Sequence, residues 1–386
     1  MAEEDEADHI NKLPDDVLVG ILSLLPYKNA VQTSSVSRRW EPLLAQLPSL
    51  MFSMSEMGTH SEPRVQSMER TLRRRCRRHD VAVQTLNLTF RKDDAMECRY
   101  AGEFIALANA QKLLVQVSCD RALTDAGDWS LELPPATTEL LLLPHWYAVR
   151  QPRIHGASVD TLRSLTLDGL TVLGQEFLHT PMPSLEDLYI GNCTLPVSIE
   201  ITSDAMPRLM HLDIVDVSVM TRGTTKAGIS VLAGGELRTL RMSGRRCSSL
   251  EPPSDTEWFL LPASFSASFT SYSCFRLRAP RLRVFEWRCC YADEVHIESV
   301  GLLSDVAVEI ATGRMPRTWQ EESEFVSVEH RDKLMSDILL GLMPGLRPRS
   351  WQNRHVQRKL QRSKQGRKSC TWKTRTERRK PALRQL

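Results

Sequence analysis

Residues 185–190 read Leu185-Glu-Asp-Leu188-Tyr-Ile190. The same apolar-x-x-apolar-x-apolar frame returns as Leu162-Arg-Ser-Leu165-Thr-Leu167, Leu209-Met-His-Leu212-Asp-Ile214, Leu237-Arg-Thr-Leu240-Arg-Met242 and Leu282-Arg-Val-Phe285-Glu-Trp287. The starts lie 23, 24, 28 and 45 residues apart, the last being close to two periods around an irregular unit. Weaker copies begin at Val83, Ala110, Thr137 and Leu303. A unit this short cannot cover its own apolar side chains, so neighbours stack and share one core, and the period predicts a solenoid.

Side chains alternate along a strand. If the leucines point inward, the residues between them line the opposite, open face: Ser164, Thr166 and Asp168; Asp187 and Tyr189; His211 and Asp213; Thr239 and Arg241; Val284, Glu286 and Arg288. This polar surface suits a protein partner, and the substrate-contact candidates on it are Thr166, Asp168, Asp187, Tyr189, His211, Asp213, Arg241, Glu286 and Arg288. The bland alternative for any one of them is an ordinary solvated residue. Pro183, Pro207 and Pro280 each stand two residues before a repeat and point to a recurring turn. A final apolar helix is predicted over about 329–342, with Leu334, Ile338 and Leu342 on one side, to cap a solenoid that would otherwise leave its last strand bare.

Upstream, residues 14–25 read PDDVLVGILSLL. Pro14 suits a first helical turn, Asp15 and Asp16 face the positive end of the helix dipole, and Pro26 ends the run. Val17, Leu18, Ile21, Leu22 and Leu25 form a broad apolar stripe that needs a cover. Two further helices are predicted, through Ala30, Val31 and Val36 and then from Arg39 and Trp40 into Leu43, Leu44 and Leu47, with Pro42 in the last. Three helices in so few residues bury too little surface to be stable alone, which implies a partner or packing on the rest of the chain.

The string INKLPDDVLVGILSLLPYKNAVQTSSVSRRW resembles the plant F-box motif, with its Leu-Pro start, Leu-Pro break and Ser-Arg-Arg-Trp landmark in order. The repeats resemble the irregular leucine-rich repeats that accompany F-boxes in plants. Gly191-Asn192-Cys193 falls near the position where that family places a buried Asn or Cys, although the other copies lack it. The resemblance implies that the segment binds a Skp-type adaptor, and through it a cullin scaffold, while the repeats hold a protein substrate for ubiquitin transfer. It assigns adaptor contact or helical core to Leu13, Pro14, Val17, Leu18, Ile21, Leu25, Val31, Val36, Arg39 and Trp40. Two rivals are a non-enzymatic repeat scaffold and a nucleic-acid-associated protein acting through the tail described next.

The net charge of +3 conceals an asymmetry: residues 347–386 hold fifteen Lys or Arg against Glu377 alone, which leaves the body acidic. With only four Leu, Ile, Val or Phe among forty residues, this tail is expected to be disordered, and nuclear import, phosphate contact and neutral extension are all open to it. Residues 64–80 carry a second arginine run, but Val65, Met68 and Leu72 give it an apolar side, so a linker helix is the expectation beside a basic signal or nucleic-acid patch. Nine scattered cysteines without a C-x-x-C pair point to reduced thiols in a cytosolic or nuclear protein, and neither a membrane span nor a signal segment is expected. No nucleotide loop, zinc motif or nucleophile elbow is legible, so neither catalysis nor a cofactor is called for. Cys289-Cys290 reads as packed thiols. The expected fold class is α+β and repetitive: an acidic extension at 1–9, a three-helix F-box at 10–55, a linker helix at 56–80, an irregular leucine-rich-repeat α/β solenoid at 81–315, a capping helix at 316–346 and the basic tail at 347–386.

Overall fold

A computed structural model describes residues 10–25, 27–34, 37–54, 66, 68–70, 72–73, 83–118, 129–144, 149–171, 178–195, 198–219, 228–233, 235–244, 270–288, 290–301, 303–311, 328–343 and 369–375. The chain divides into two compact units, Met1–Thr171 and Val172–Leu386.

In the first unit, α1 (Asp15–Ser23) and α2 (Tyr27–Ser34) are followed by a 3-10 helix, Glu41–Gln46. The predicted third α-helix is thus replaced by a tighter turn. Pro42 occupies the opening turn, where its missing N–H costs nothing, and Pro48 follows closely enough to prevent extension. Among the described residues of this segment, Leu18, Leu22, Tyr27, Ala30, Trp40, Leu43, Leu44 and Leu47 are buried. Tyr27 meets Phe52 edge-on at 5.0 Å, and Phe52 meets Phe104 at 5.7 Å, so the helices rest on the repeats of their own chain.

Phe52 belongs to the strand Ser49–Ser53, which pairs in parallel with Thr85–Arg91. The sheet therefore begins inside the range expected for the F-box, before residue 81. It continues in parallel through Lys112–Ser118, Glu139–Pro144 and Ser164–Asp168. The weak copies at Val83, Ala110 and Thr137 all form repeats, since Leu86, Leu88, Leu113, Val115, Leu140 and Leu142 are buried. One turn bond recurs from repeat to repeat. Lys112 N donates to the Gln84 carbonyl, Thr138 N to Gln111 and Arg163 N to Thr138, each at 2.8 Å, and the buried Thr137 hydroxyl donates to the Ala110 carbonyl at 2.8 Å. On the return side lies α3 (Ala95–Ala108), capped by Asp94, whose carboxylate accepts from the Met96 and Glu97 amides, and ended by left-handed Asn109. Of the arginine run, residues 66, 68–70 and 72–73 are described and are helical; Leu72 is buried and Arg73 pairs with Glu69.

In the second unit the parallel ladder runs Asp187–Gly191, His211–Val215, Thr239–Ser243, Val284–Arg288 and Asp305–Ala311. Met210 N donates to Glu186 O, Arg238 N to Met210 O and Arg283 N to Arg238 O, each at 2.8 Å, repeating the turn bond of the first unit. Here the expectation of an α/β solenoid needs correction. The return segments Ile199–Thr202, Ile229–Leu232, Thr270–Ala279 and Cys290–Val300 are strands of a second parallel sheet. Their apolar residues recur every second position (Ile199 and Ile201, Ile229 and Val231, Phe275 and Leu277), a period that suits a strand and not a helix. The two sheets share a core in which Phe275 meets Trp287 at 4.9 Å, and the buried Trp287 indole donates to the Cys290 carbonyl at 2.9 Å. Cys290 is packed as expected; Cys289 lies outside the described residues.

The helix predicted at 329–342 forms α4 (Val328–Leu342), with Leu334, Ile338 and Leu342 buried. It packs chiefly on Cys290–Val300 of the second sheet, with Gly341 close to Ile297, and touches Asp305–Ala311 less. The bare edge of Asp305–Ala311 is instead paired by Ser369–Arg375, antiparallel, from within the tail expected to be disordered. Its sequence SCTWKTR lacks Gly and Pro, and an open edge offers a row of unpaired backbone N–H and C=O groups that such a segment can satisfy.

Candidate functional site

Two surfaces follow from this frame. The first is α1. Leu18 and Leu22 are fully buried, yet the same helix leaves Val17 42% and Ile21 39% exposed, and Leu24, which caps its C-terminal end, is 84% exposed. These three stand at i, i+4 and i+7 and so share a side, with exposed Pro14 one turn before them and Ile10 on the preceding 3-10 turn. Leu13, Leu25 and Val31 are half-buried, and Arg39 is exposed. The residues assigned to this segment thus separate. Leu18 and Trp40 belong to the core, Pro14, Val17, Ile21 and Arg39 reach solvent, and Val36 lies outside the described residues. Leu24 and Ile10 were missed by the sequence reading. The signal for Leu24 was its place seven residues after Val17; Ile10 precedes the helix and had none.

The second surface is the open face of the second unit's ladder. Buried leucines alternate with exposed or half-buried residues as the strand period demands, so Leu188, Leu212 and Leu240 are inaccessible while Tyr189, Asp213 and Arg241 stand on the other side. Parallel register places Tyr189, Asp213, Arg241, Glu286 and Ala307 in one row across five strands. Arg241 bridges the two acids beside it, 3.5 Å from Asp213 and 3.6 Å from Glu286, and Arg288 reaches Glu286 at 2.8 Å. Burial lifts the Asp213 carboxyl above its usual range despite the neighbouring guanidinium, and its Oδ1 is enclosed without a hydrogen-bond partner. The Tyr189 ring covers Gly191, filling the space a side chain there would take. Asp187 and His211 are exposed in the preceding row, whose next member, Thr239, is buried at 7% between His211 and Val284 and so drops out of the open face.

In the first unit Thr166 and Asp168 are half-buried on the open side of Ser164–Asp168, opposite the inaccessible Leu165 and Leu167. Leu114, Leu141 and Leu143 are also half-buried on the open side of their strands and were not anticipated. The run Leu140–Leu143 contained the signal, because four consecutive leucines on a strand must place two outward. The turn residues were missed as well. Gly169, Asn192 and Asp216 each follow a repeat strand at positive φ, and the Asn192 and Asp216 amides donate to the next strand's end at 2.8 and 2.6 Å. Asn192 is exposed while Cys193 beside it is buried, so the thiol, and not the amide, is the packed member of that pair.

No group of three or more His, Cys, Asp or Glu side chains is arranged for a metal ion among the described residues. No helix among them is long and apolar enough to cross a membrane.

The F-box domain family matches residues 10–50. The chain is similar to an F-box/LRR-repeat protein of Arabidopsis thaliana, 28% identical over 219 residues that make up 54% of this chain and 67% of the relative. A putative F-box/FBD/LRR-repeat protein of the same plant is 33% identical over 48% of this chain and 41% of its own length. Another F-box/FBD/LRR-repeat protein is 26% identical over 61% and 53% respectively. The chain thus spans between two fifths and two thirds of the length of these relatives. No solved structure matches it. The chain therefore carries an F-box domain with an uncovered apolar helix face, followed by stacked leucine-rich strands, and it is similar to plant F-box/leucine-rich-repeat proteins that have the same two parts in their names.

Proposed function

We propose that the protein is the substrate-recognition subunit of a Skp-cullin-F-box ubiquitin ligase, acting in the cytosol or nucleus. Its α1 docks a Skp-type adaptor, and its repeat strands present a protein substrate. The observation that carries this reading is the two-sided apolar character of α1: one side is sealed by Leu18 and Leu22, and Val17, Ile21 and Leu24 on another side are left without cover. A helix surface of this kind is the usual seat of a protein partner.

Such a subunit needs no reactive group of its own. Fixing a substrate lysine near a ubiquitin thioester converts an encounter between molecules into one within a complex, which raises its effective concentration. The charged face around Arg241 and the apolar strips at Leu114, Leu141 and Leu143 supply the contact chemistry for a substrate. The test is capture of a Skp-type adaptor by the full chain and by Ile21→Asp/Leu24→Asp. Both changes are at exposed sites, so melting should be unchanged while capture is lost; capture that survives overturns the assignment.

A further inference from the structure

The edge strand Asp305–Ala311 is paired along its whole length by Ser369–Arg375, and the pairing differs from every other in this ladder. Each neighbouring pair among the described residues of the second unit is parallel and joins successive repeats, whereas Ser369–Arg375 runs antiparallel and arrives after α4. Its register sorts its residues by chemistry. Cys370, Trp372 and Thr374 fall opposite the buried Ile310, Val308 and Val306. Thr371, Lys373 and Arg375 fall opposite Glu309, Ala307 and Asp305 on the other side of the edge strand, where Asp305 is exposed, Glu309 half-buried and Ala307 buried. Arg375 is directly across from Asp305, and Lys373 sits one step diagonally from both acids, an arrangement that favours opposite charges.

We propose that this edge is a strand-addition site for an extended segment alternating apolar and basic residues, and that the chain's own Ser369–Arg375 fills it as a displaceable occupant. The inference rests on the receptor reading above and gives it a substrate class: a protein offering such a strand competes for the same edge. Backbone hydrogen bonds supply the attachment, and the acids at 305 and 309 select basic residues on the open side. Two features make the occupant displaceable. It belongs to no repeat, and it lies in a stretch with fifteen Lys or Arg and four Leu, Ile, Val or Phe among forty residues, which offers little apolar area beyond its own Cys370 and Trp372 to hold it down.

The test uses the full chain and a fluorescent peptide of residues 367–377 under reducing conditions. Successive backbone amides of a strand point to opposite sides, so Thr371→Pro/Trp372→Pro removes at least one ladder bond and should vacate the edge. The peptide should then bind this variant at least tenfold more tightly than it binds the unaltered chain. Adding Asp305→Lys/Glu309→Lys should abolish that gain, as should carrying the two prolines in the peptide. Equal binding to both chains, absence of binding, or indifference to the charge reversal overturns the proposal. Lys373→Glu/Arg375→Glu, which leaves the edge strand itself untouched, should release the occupant in the same direction and guards against misfolding of the edge variants. Adaptor capture measured on the same samples keeps the two readings apart: capture without peptide binding removes only this proposal, and peptide binding without capture removes only the ligase assignment.

Discussion

Arg39 clamps the start of α1 from twenty-four residues away: its Nη2 and Nε donate to Oδ1 of Asp15 at 2.6 and 3.0 Å, and Nη2 also donates to the Leu13 carbonyl at 2.8 Å. Both side chains are well exposed, so the pair contributes ~0.2–1 kcal/mol at most. Its value is orientation, because it ties the Leu-Pro start of the F-box to its Ser-Arg-Arg-Trp turn. A double-mutant cycle with Arg39→Ala and Asp15→Ala should give a coupling below ~1 kcal/mol in thermal melts. Adaptor affinity should fall severalfold for either change. A coupling of several kcal/mol would show that the pair holds the fold together.

Leu18 inside α1 and Leu24 at its C-terminal cap, six residues on, should behave oppositely. Leu18→Ala removes a fully buried side chain and should cost ~2–5 kcal/mol, whereas Leu24→Ala should stay within ~0.5 kcal/mol. Adaptor capture should nevertheless suffer from Leu24→Ala. Chemical denaturation beside a binding assay on the same preparations separates the two effects.

On the repeats, Leu212→Ala and His211→Ala repeat that contrast between adjacent positions of one strand. The buried leucine should again cost ~2–5 kcal/mol and the exposed histidine ~0.5 kcal/mol or less. Equal losses would contradict the strand register.

Asp213 should make its own pH signature. Its folded-state pKa lies above the unfolded value because burial penalises the charged form. The folded state therefore binds the proton more tightly, and stability falls as pH rises through the interval between the two values. Below that interval the penalty is absent; above it the penalty is complete. Asp213→Asn should flatten this component in melts taken from acidic to neutral pH and leave stability at neutral pH equal or higher, with Arg241 still beside Glu286. A large loss of stability at neutral pH would show that the Arg241 contact outweighs burial.

Deleting residues 347–386 should leave adaptor capture intact, since α1 and its supports lie in the first unit. The edge Asp305–Ala311 would lose its partner strand. Amides across Val306–Ile310 should then exchange faster with solvent, and the protein should self-associate more readily as concentration rises, as bare strand edges do. Unchanged exchange would contradict the strand pairing.

Much of this fold is written locally. The repeats from Val83 to Leu303 are legible because a buried strand needs an apolar residue at every second position and a stacked unit needs the same pattern again one period later. The ends of α1 are legible because Pro14, Asp15 and Pro26 act on their own backbone neighbourhood. The same strand alternation placed Asp213 and Arg241 on the open side without any structure, while the burial of Thr239 broke that alternation.

What tertiary structure decided are the relations between segments far apart in the chain. Period alone said that Val17, Leu18, Ile21 and Leu22 were apolar, but which of them would be covered depended on where Trp40, Leu43 and Tyr27 came to pack. The strand nature of the return segments in the second unit was set by the opposing sheet, against which Phe275 meets Trp287. The strand at Ser369–Arg375 lay in a segment whose composition argues for disorder, and only the unpaired edge of Asp305–Ala311 gives its backbone groups partners. A sequence specifies periods, caps and breaks, because these act over a few residues. The closing of an edge or the exposure of a helix side depends on groups brought together only when the chain has folded.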